Sequence, residues 1–152
     1  MRLRLVLVCL LMGVSGAGAF GQAVSAPAPA AGSQVLSEAR VYTLEEMPAR
    51  KMANGGESRD ILHGVLPTGE AIGAHESVQL AGAAPNAPHK IDHSEVITVI
   101  EGKLAFEHDG KSERVGPGGV IFVAYGTLHT VRNIGNGPAR YMVLAIGGDT
   151  KK

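Results

Sequence analysis

Short apolar runs, separated by turns rich in glycine and proline, make up most of the chain after residue 35. Residues 96–100 are apolar and β-branched apart from one threonine, a run that is too short for a helix and suits a strand buried on both faces. Residues 103–108 then alternate between apolar and polar positions. Asp109 and Gly110 form a two-residue hairpin turn before a return strand over residues 111–115. This part of the chain is therefore predicted to be β-structure.

The same pattern of short apolar runs and intervening turns recurs along the rest of the chain. Further strands are predicted at residues 40–44, 59–66, 74–80, 120–123 and 139–146. In all we expect about nine or ten short strands at intervals of roughly 8–12 residues, a spacing typical of an all-β sandwich or barrel. The length of 152 residues suits one domain rather than two.

The N-terminus has the pattern of a secretory signal peptide. Arg2 and Arg4 form a positive head, an apolar run follows over residues 5–14, and small side chains then lead to Ala19. The apolar run is shorter than the roughly 20 residues that span a bilayer as a helix, which argues against the alternative of an uncleaved anchor. Residues 1–19 are predicted to be removed, with cleavage as late as residue 23.

An alanine- and proline-rich segment over residues 20–34 is predicted to be a linker, and residues 35–148 to be the folded domain. Cys9 is the only cysteine and lies within the signal, so the mature chain has neither a disulfide nor a thiolate ligand. We expect a periplasmic or secreted protein with no stable membrane span once the signal is removed. The 14 basic and 14 acidic side chains balance, which argues against a nucleic-acid partner.

A cluster of imidazoles and a carboxylate carries the candidate chemistry. His89, Ile91, His93 and Glu95 are two residues apart, so in an extended segment all four side chains point to one face. His129 would reach the same point from another strand. Histidine and carboxylate ligands suit a borderline divalent metal ion. The sequence therefore predicts metal ligands at His89, His93, Glu95 and His129.

Two stretches follow recurring spacings. In the second, Gly118, Gly126, His129 and Asn133 fit the pattern G-x5-P-x-G-x2-H-x3-N, with Ala124 in place of the proline. The glycines have a backbone role in such a pattern, because they allow close approach of the chain or a positive φ.

The first stretch fits the pattern G-x5-H-x-H-x3-4-E-x6-G at His89, Glu95 and Gly102. Ala83 stands where the opening glycine would be, and Ile91 occupies the place of the second histidine. In this order the two stretches resemble the two motifs of the cupin superfamily. The motif core covers residues 82–133, and the resemblance extends over most of the predicted domain.

The resemblance implies a single-domain, cupin-type jelly-roll β-barrel. Cupins typically hold a metal through three histidines and a glutamate, and this carries over to His89, Glu95 and His129. The fourth ligand is then either missing or replaced by His93, whose alternative role is to orient Glu95 or a ligand imidazole. The metal is a divalent ion among Fe, Mn, Ni, Cu and Zn, which the residues do not distinguish. The alternative is a metal-free cupin in which these side chains only form hydrogen bonds.

Three functions follow from the resemblance. The first is an exported metal-dependent enzyme of oxygenase or isomerase type acting on a small molecule. The second is a non-catalytic small-molecule-binding cupin with a degenerate or empty metal site. The third is an interaction role as a homodimer paired through its sheets. In each case we expect the pocket to be lined by Ile91, Ile97, Phe122 and Tyr125. We expect His63 and His75 to be surface or structural residues and His108 to be solvated.

Overall fold

The computed structural model describes residues 34–148. The predicted signal peptide and nearly all of the predicted linker lie outside the described residues, and their boundaries stay predictions. The only helix in the described part is a single 3-10 turn, Leu44–Glu46, and no helix there is long and apolar enough to cross a bilayer.

The described residues are mostly β-structure, which confirms the all-β prediction. In chain order the strands are β1 (Arg50–Lys51), β2 (Glu57–Val65), β3 (Ala71–Gln79), β4 (Ser94–Glu101), β5 (Leu104–His108), β6 (Lys111–Val115), β7 (Val120–Val123), β8 (His129–Asn133) and β9 (Ala139–Ile146). Their number and spacing agree with the sequence pattern.

The strands form two antiparallel sheets. The larger sheet has the order β1-β2-β3-β9-β4-β7, and the smaller has the order β6-β5-β8. Strands that are distant in sequence are neighbours in this arrangement, since β9 pairs with both β3 and β4. The two sheets are consistent with a jelly roll, whereas closure into one continuous barrel stays a prediction.

The core lies between the inward faces of the two sheets. Ile97 and Val99 of β4, Leu104 of β5 and Val123 of β7 are almost completely inaccessible to solvent. Each fully buried aliphatic side chain of this kind stabilises the fold by roughly 1.5–3 kcal/mol. The chain has a single cysteine and so no intrachain disulfide, which makes this core the main source of its stability.

Two turns depend on positive φ angles. Asp109 (φ 46°) and Gly110 (φ 74°) form the predicted hairpin turn between β5 and β6. Gly102 (φ 81°) joins β4 to β5, and a Cβ at this position would lie 2.6 Å from the carbonyl oxygen of Pro138 and 2.8 Å from Cβ of Ala139. Glycine is therefore required at Gly102 both by its φ angle and by the space available.

One predicted strand is wrong. Residues 40–44 form no strand, and the 3-10 turn begins at Leu44, where the Thr43 N–H donates to the Glu46 carboxylate at 3.3 Å. Val41 in this segment is largely exposed. The β-branched and aromatic residues there favour extended structure, but the segment has no neighbouring strand with which to form a ladder.

Candidate functional site

A cavity of about 290 Å³ lies between the sheets, among side chains of β3, β4, β8 and β9 and the segment before β4. Its lining includes four histidines and one carboxylate, namely His75, His89, His93, His129 and Glu95. All four predicted metal ligands are therefore brought to one cavity. The chain bends at Asp92 and His93, before β4 begins at Ser94, yet the residues of one parity still line the cavity, with His89 itself exposed.

The backbone joins the two histidine-bearing stretches directly. The N–H of His89 donates to the carbonyl oxygen of His129, and the N–H of His129 donates to that of His89, each at 3.0 Å. This isolated antiparallel bridge brings the two imidazole rings to a centroid distance of 4.8 Å. Residues that are 40 positions apart in sequence thus present their rings side by side.

Hydrogen bonds to the backbone determine the tautomer of both rings. Nδ1 of His89 lies 3.1 Å from the carbonyl oxygen of Ala87, and Nδ1 of His129 lies 3.1 Å from that of Thr127. A carbonyl oxygen only accepts, so each Nδ1 carries a proton and donates it. In the neutral rings, Nε2 therefore keeps a free lone pair, which is the usual state of a histidine that binds a metal through Nε2.

Glu95 lies between two of the histidines and is buried. Nε2 of His93 donates to Oε1 of Glu95 at 3.0 Å. Nε2 of His129 lies 3.7 Å from Oε2 of the same carboxylate, which is too long for a hydrogen bond. One carboxylate oxygen is thus engaged by His93, and the other remains close to the lone pair of His129.

The donor set fits a divalent metal in its chemistry. His89 and His129 each offer an Nε2 lone pair, and Glu95 offers Oε2, which together form a two-histidine, one-carboxylate set. Within residues 34–148, however, no three His, Cys, Asp or Glu side chains already stand in a metal-binding arrangement. Binding therefore requires some movement of the side chains toward a common point.

His93 is arranged to orient Glu95. Its Nε2 is used by the carboxylate, and its Nδ1 is buried with no hydrogen-bond partner among the described residues. An unpartnered buried nitrogen is costly, by about 1–3 kcal/mol, unless a ligand or water satisfies it. The bond to Glu95 gives His93 a positioning role, and its unpartnered Nδ1 keeps the alternative of a direct ligand open.

The remaining predicted lining residues divide into two pairs. Ile91 and Ile97 are buried and line the cavity. Phe122 and Tyr125 are 65% and 67% exposed and do not line it, so that part of the prediction is corrected. The reason for Phe122 is register. It pairs with Val96 on the outward face of β4, while Ile121 and Val123, its neighbours in β7, face the core.

Sequence reasoning missed one wall of the cavity. His75, Ser77 and Gln79 of β3 share one parity and line the cavity together with Tyr141 of β9. Polar residues thus face inward on β3, against the usual expectation that apolar side chains do so. The available signal was the spacing of two between His75, Ser77 and Gln79, which matches the spacing around Glu95.

His108 was expected to be solvated, and this too is corrected. Its side chain is only 17% exposed, and its ring stacks on Phe106 at a centroid distance of 4.4 Å. Hydrogen bonds to Glu113 and then to Asp109 raise the pKa of His108 above its ordinary value. The group lies on the hairpin of β5 and β6 and does not itself line the cavity, although its backbone pairs with that of His129.

The protein is thus an all-β domain in which histidines and a glutamate line a cavity between two sheets. The family model described as the cupin domain matches residues 74–146. Residues 74–146 are a cupin domain, as the two sequence motifs predict.

Solved structures of cupins share this fold. An RmlC-like cupin from Shewanella frigidimarina (17% identity, TM-score 0.61) covers 74% of this chain and 95% of its own. KdgF from Halomonas sp. (17%, 0.61) covers 74% and 97%, and a predicted oxalate decarboxylase from Thermotoga maritima (20%, 0.59) covers 70% and 98%. At these identities the likeness shows the fold alone. A search of curated proteins returned no significant relative.

Proposed function

We propose that this cupin binds a small molecule in its interior cavity, beside a divalent metal ion held by His89, Glu95 and His129. The observation that carries the proposal is the pair of Nδ1 hydrogen bonds to Ala87 and Thr127, which leave both Nε2 lone pairs free. Fixing the tautomer through a backbone carbonyl is the usual way in which proteins prepare histidine ligands.

When bound, the metal would supply Lewis-acid or oxygen-activating chemistry of the kind used by oxygenases and isomerases. The chain's own residues have distinct tasks around it. His93 holds Oε1 of Glu95 and so limits rotation of the carboxylate. Ile91 and Ile97 provide an apolar wall that restricts the entry of water. We propose that such a metal serves catalysis of oxygenase or isomerase type on the bound small molecule.

A cobalt titration tests the metal site. Co²⁺ in a site with imidazole and carboxylate ligands gives visible absorption bands, so the purified, chelator-treated protein should show a saturable spectrum at one equivalent. His129→Ala should abolish saturation. His63→Ala, which removes a histidine outside the cavity lining, should leave the spectrum unchanged. Equal spectra for all three proteins would refute the site.

A non-catalytic binding cupin with an empty metal site is the second candidate. It is favoured by the absence of a ready three-donor group within residues 34–148 and by the hydrogen bond from His93 that already engages Glu95. The two candidates differ in one observable. The binding module would take up its ligand equally well with and without metal, whereas the metal-dependent protein would not.

We further propose that the protein pairs with a second copy of itself through the outer face of the larger sheet. Most side chains on this face of β4, β7 and β9 are apolar and surround the exposed Thr98 of β4. We call the apolar ones the outer apolar patch: Val96, Val120, Phe122, Met142 and Leu144. The sequence predicts that β4 is buried on both faces, and this is corrected: Thr98 and Ile100 are exposed, and only one face of the strand is covered by the core.

The charged residues beside the outer apolar patch favour pairing with a second copy of this chain over binding a partner whose charges are all of one sign. Glu76 lies 3.8 Å from both Arg59 and Arg140, and Arg140 lies 3.8 Å from Glu101. Because the network contains both signs, two copies of the same face can approach without net repulsion, as a two-fold interface requires.

Export to the periplasm or the medium is also part of the proposal. It rests on the charged head, the short apolar run and the small residues of positions 1–19. Mass spectrometry of the protein recovered from an exporting host tests it. We expect an N-terminus between residues 20 and 24, and an intact Met1 on the recovered protein would refute it.

A further inference from the structure

We infer that Tyr141 anchors an uncharged oxygen atom, of a carbonyl or hydroxyl group, on the small molecule that occupies the cavity. The inference rests on the proposed small-molecule function and adds a chemical class to it. The ligand is then a neutral compound with one oxygen acceptor and an apolar body.

The first step is the position of the phenol. Tyr141 lies on β9 opposite Ser77 of β3 and Val99 of β4, and its side chain faces inward, where it is buried and lines the cavity. It belongs to the polar wall with Ser77 and Gln79. This wall is formed by β3 and β9, whereas the predicted metal ligands come from β4, β8 and the segment before β4.

The second step is the direction of the phenolic hydrogen bonds. Nε2 of Gln79 donates to the Tyr141 hydroxyl at 2.9 Å and to the carbonyl oxygen of Val131 at 3.0 Å. Oε1 of Gln79 accepts from the N–H of Asn133 at 2.9 Å, so the amide cannot be rotated without losing these bonds. Gln79 therefore acts as a donor to Tyr141, and the phenolic proton is left for another acceptor, either the neighbouring Ser77 hydroxyl or a ligand oxygen.

The protonation state supports this assignment. Burial raises the pKa of Tyr141 above its ordinary value, against the opposing hydrogen bonds from Gln79 and Ser77, and the negative charge of Glu95 raises it further. The phenol thus remains protonated at neutral pH. It can donate a hydrogen bond to an oxygen acceptor in the cavity.

The charges of the metal-free cavity select an uncharged ligand. Glu95 is the only carboxylate that lines it, and none of the described lining residues is Lys or Arg. An anion in the metal-free cavity would meet Glu95 with no cation to offset it, and its desolvation would be uncompensated. Ile97, Val131 and Val143 complete the wall and suit an apolar body.

The experiment uses chelator-treated, metal-free protein labelled with 3-fluorotyrosine and three probes of similar size. Cyclohexanone has a carbonyl acceptor, methylenecyclohexane lacks one, and cyclohexanecarboxylate carries a negative charge. The chain has three tyrosines, so Tyr42→Phe and Tyr125→Phe assign the ¹⁹F signal of Tyr141 by elimination. Tyr125→Phe is also the matched control, since Tyr125 is exposed and does not line the cavity.

We expect cyclohexanone to shift the Tyr141 signal saturably and to bind Tyr141→Phe roughly fivefold more weakly, the effect of one neutral hydrogen bond. Methylenecyclohexane should bind both proteins within about twofold, and cyclohexanecarboxylate should bind more weakly than cyclohexanone. If Tyr141→Phe does not fold, the fluorine shifts of the unsubstituted chain decide the question.

The inference is overturned if cyclohexanone gives no saturable shift of Tyr141, if Tyr141→Phe binds it as tightly as the unsubstituted chain, or if the carboxylate binds best. The metal proposal is judged separately, because the probes are used without metal. If the cobalt spectrum is absent but Tyr141 still responds to cyclohexanone, this inference stands without the metal site. If the cobalt spectrum is present but Tyr141 does not respond, only the metal site stands.

Discussion

Nε2 of His129 lies 3.7 Å from Oε2 of Glu95 in the wall of the cavity, and both atoms carry lone pairs. Two acceptors this close in a buried place repel each other unless a cation, a proton or a water molecule lies between them. The ring of His89, whose centroid lies 4.8 Å from that of the His129 ring, offers a third lone pair from the neighbouring side chain. These contacts are the basis of the proposed metal site.

Replacing His93 by Gln tests whether it positions Glu95 or binds the metal. If His93 only orients the carboxylate through its 3.0 Å hydrogen bond, the Zn²⁺ dissociation constant should rise about 10- to 100-fold, the usual effect of such a partner. His129→Ala should weaken binding further, and His63→Gln should have no effect. Isothermal titration calorimetry measures all three. A loss in His93→Gln as large as in His129→Ala would make His93 a ligand.

The hairpin histidine predicts a pH-dependent contribution to stability. The folded-state pKa of His108 is raised, chiefly by Glu113, above its value of about 6.5 in the unfolded chain. The stabilisation is therefore fully present below about pH 6.5 and is lost as the pH rises through the folded-state pKa. Glu113→Gln should lower the free energy of unfolding at pH 5.5 but not at pH 9.

Urea denaturation at the two pH values measures this difference. Glu38→Gln serves as the control, because Glu38 is exposed and does not contact His108. An equal loss at both pH values would mean that Glu113 stabilises the hairpin in some way other than by pairing with His108.

Two glycine substitutions separate backbone strain from crowding. Gly102→Ala adds a Cβ at φ 81° within 2.8 Å of Cβ of Ala139, whereas Gly110→Ala adds one at φ 74° with no atom within 4 Å. The positive φ alone costs about 1–2 kcal/mol. We expect Gly110→Ala to lose that amount of unfolding free energy and Gly102→Ala to lose clearly more. Chemical denaturation measures the free energy of unfolding of both variants. Equal losses in the two would show that the chain around Gly102 moves to accommodate the added Cβ.

The outer apolar patch predicts a dimer in solution. Phe122→Glu places a charge at its most exposed side chain and should convert the dimer to a monomer in light scattering after size exclusion. Val41→Glu is the control, since Val41 is at least as exposed but lies outside the patch. A monomeric unsubstituted chain, or a dimer unaffected by Phe122→Glu, would contradict the pairing.

Local sequence chemistry was enough to predict much of the fold. Asp109 and Gly110 form the expected turn with positive φ angles, and the alternation before it places Leu104 and Phe106 in the core. The same spacing of two brought His89 and Glu95 to one cavity. These features depend on residues that are close together in the chain, so they can be predicted from the local sequence.

Features that depend on pairing between distant strands were not predictable. The four residues of β7 are all apolar, so nothing local says that Ile121 faces inward and Phe122 outward; the pairing with β4 decides it. The inward direction of His75 likewise follows from its pairing with Val143 of β9. Val41 had strand-forming character but no partner strand.

The metal content of the purified protein tests the central claim most directly. After incubation with Zn²⁺ and exhaustive dialysis, elemental analysis should find about one zinc per chain in the unsubstituted protein and in His63→Ala. The His89→Ala, His129→Ala double variant, shown by circular dichroism to be folded, should retain none. Equal zinc in all three proteins, or none in any of them, would contradict the account.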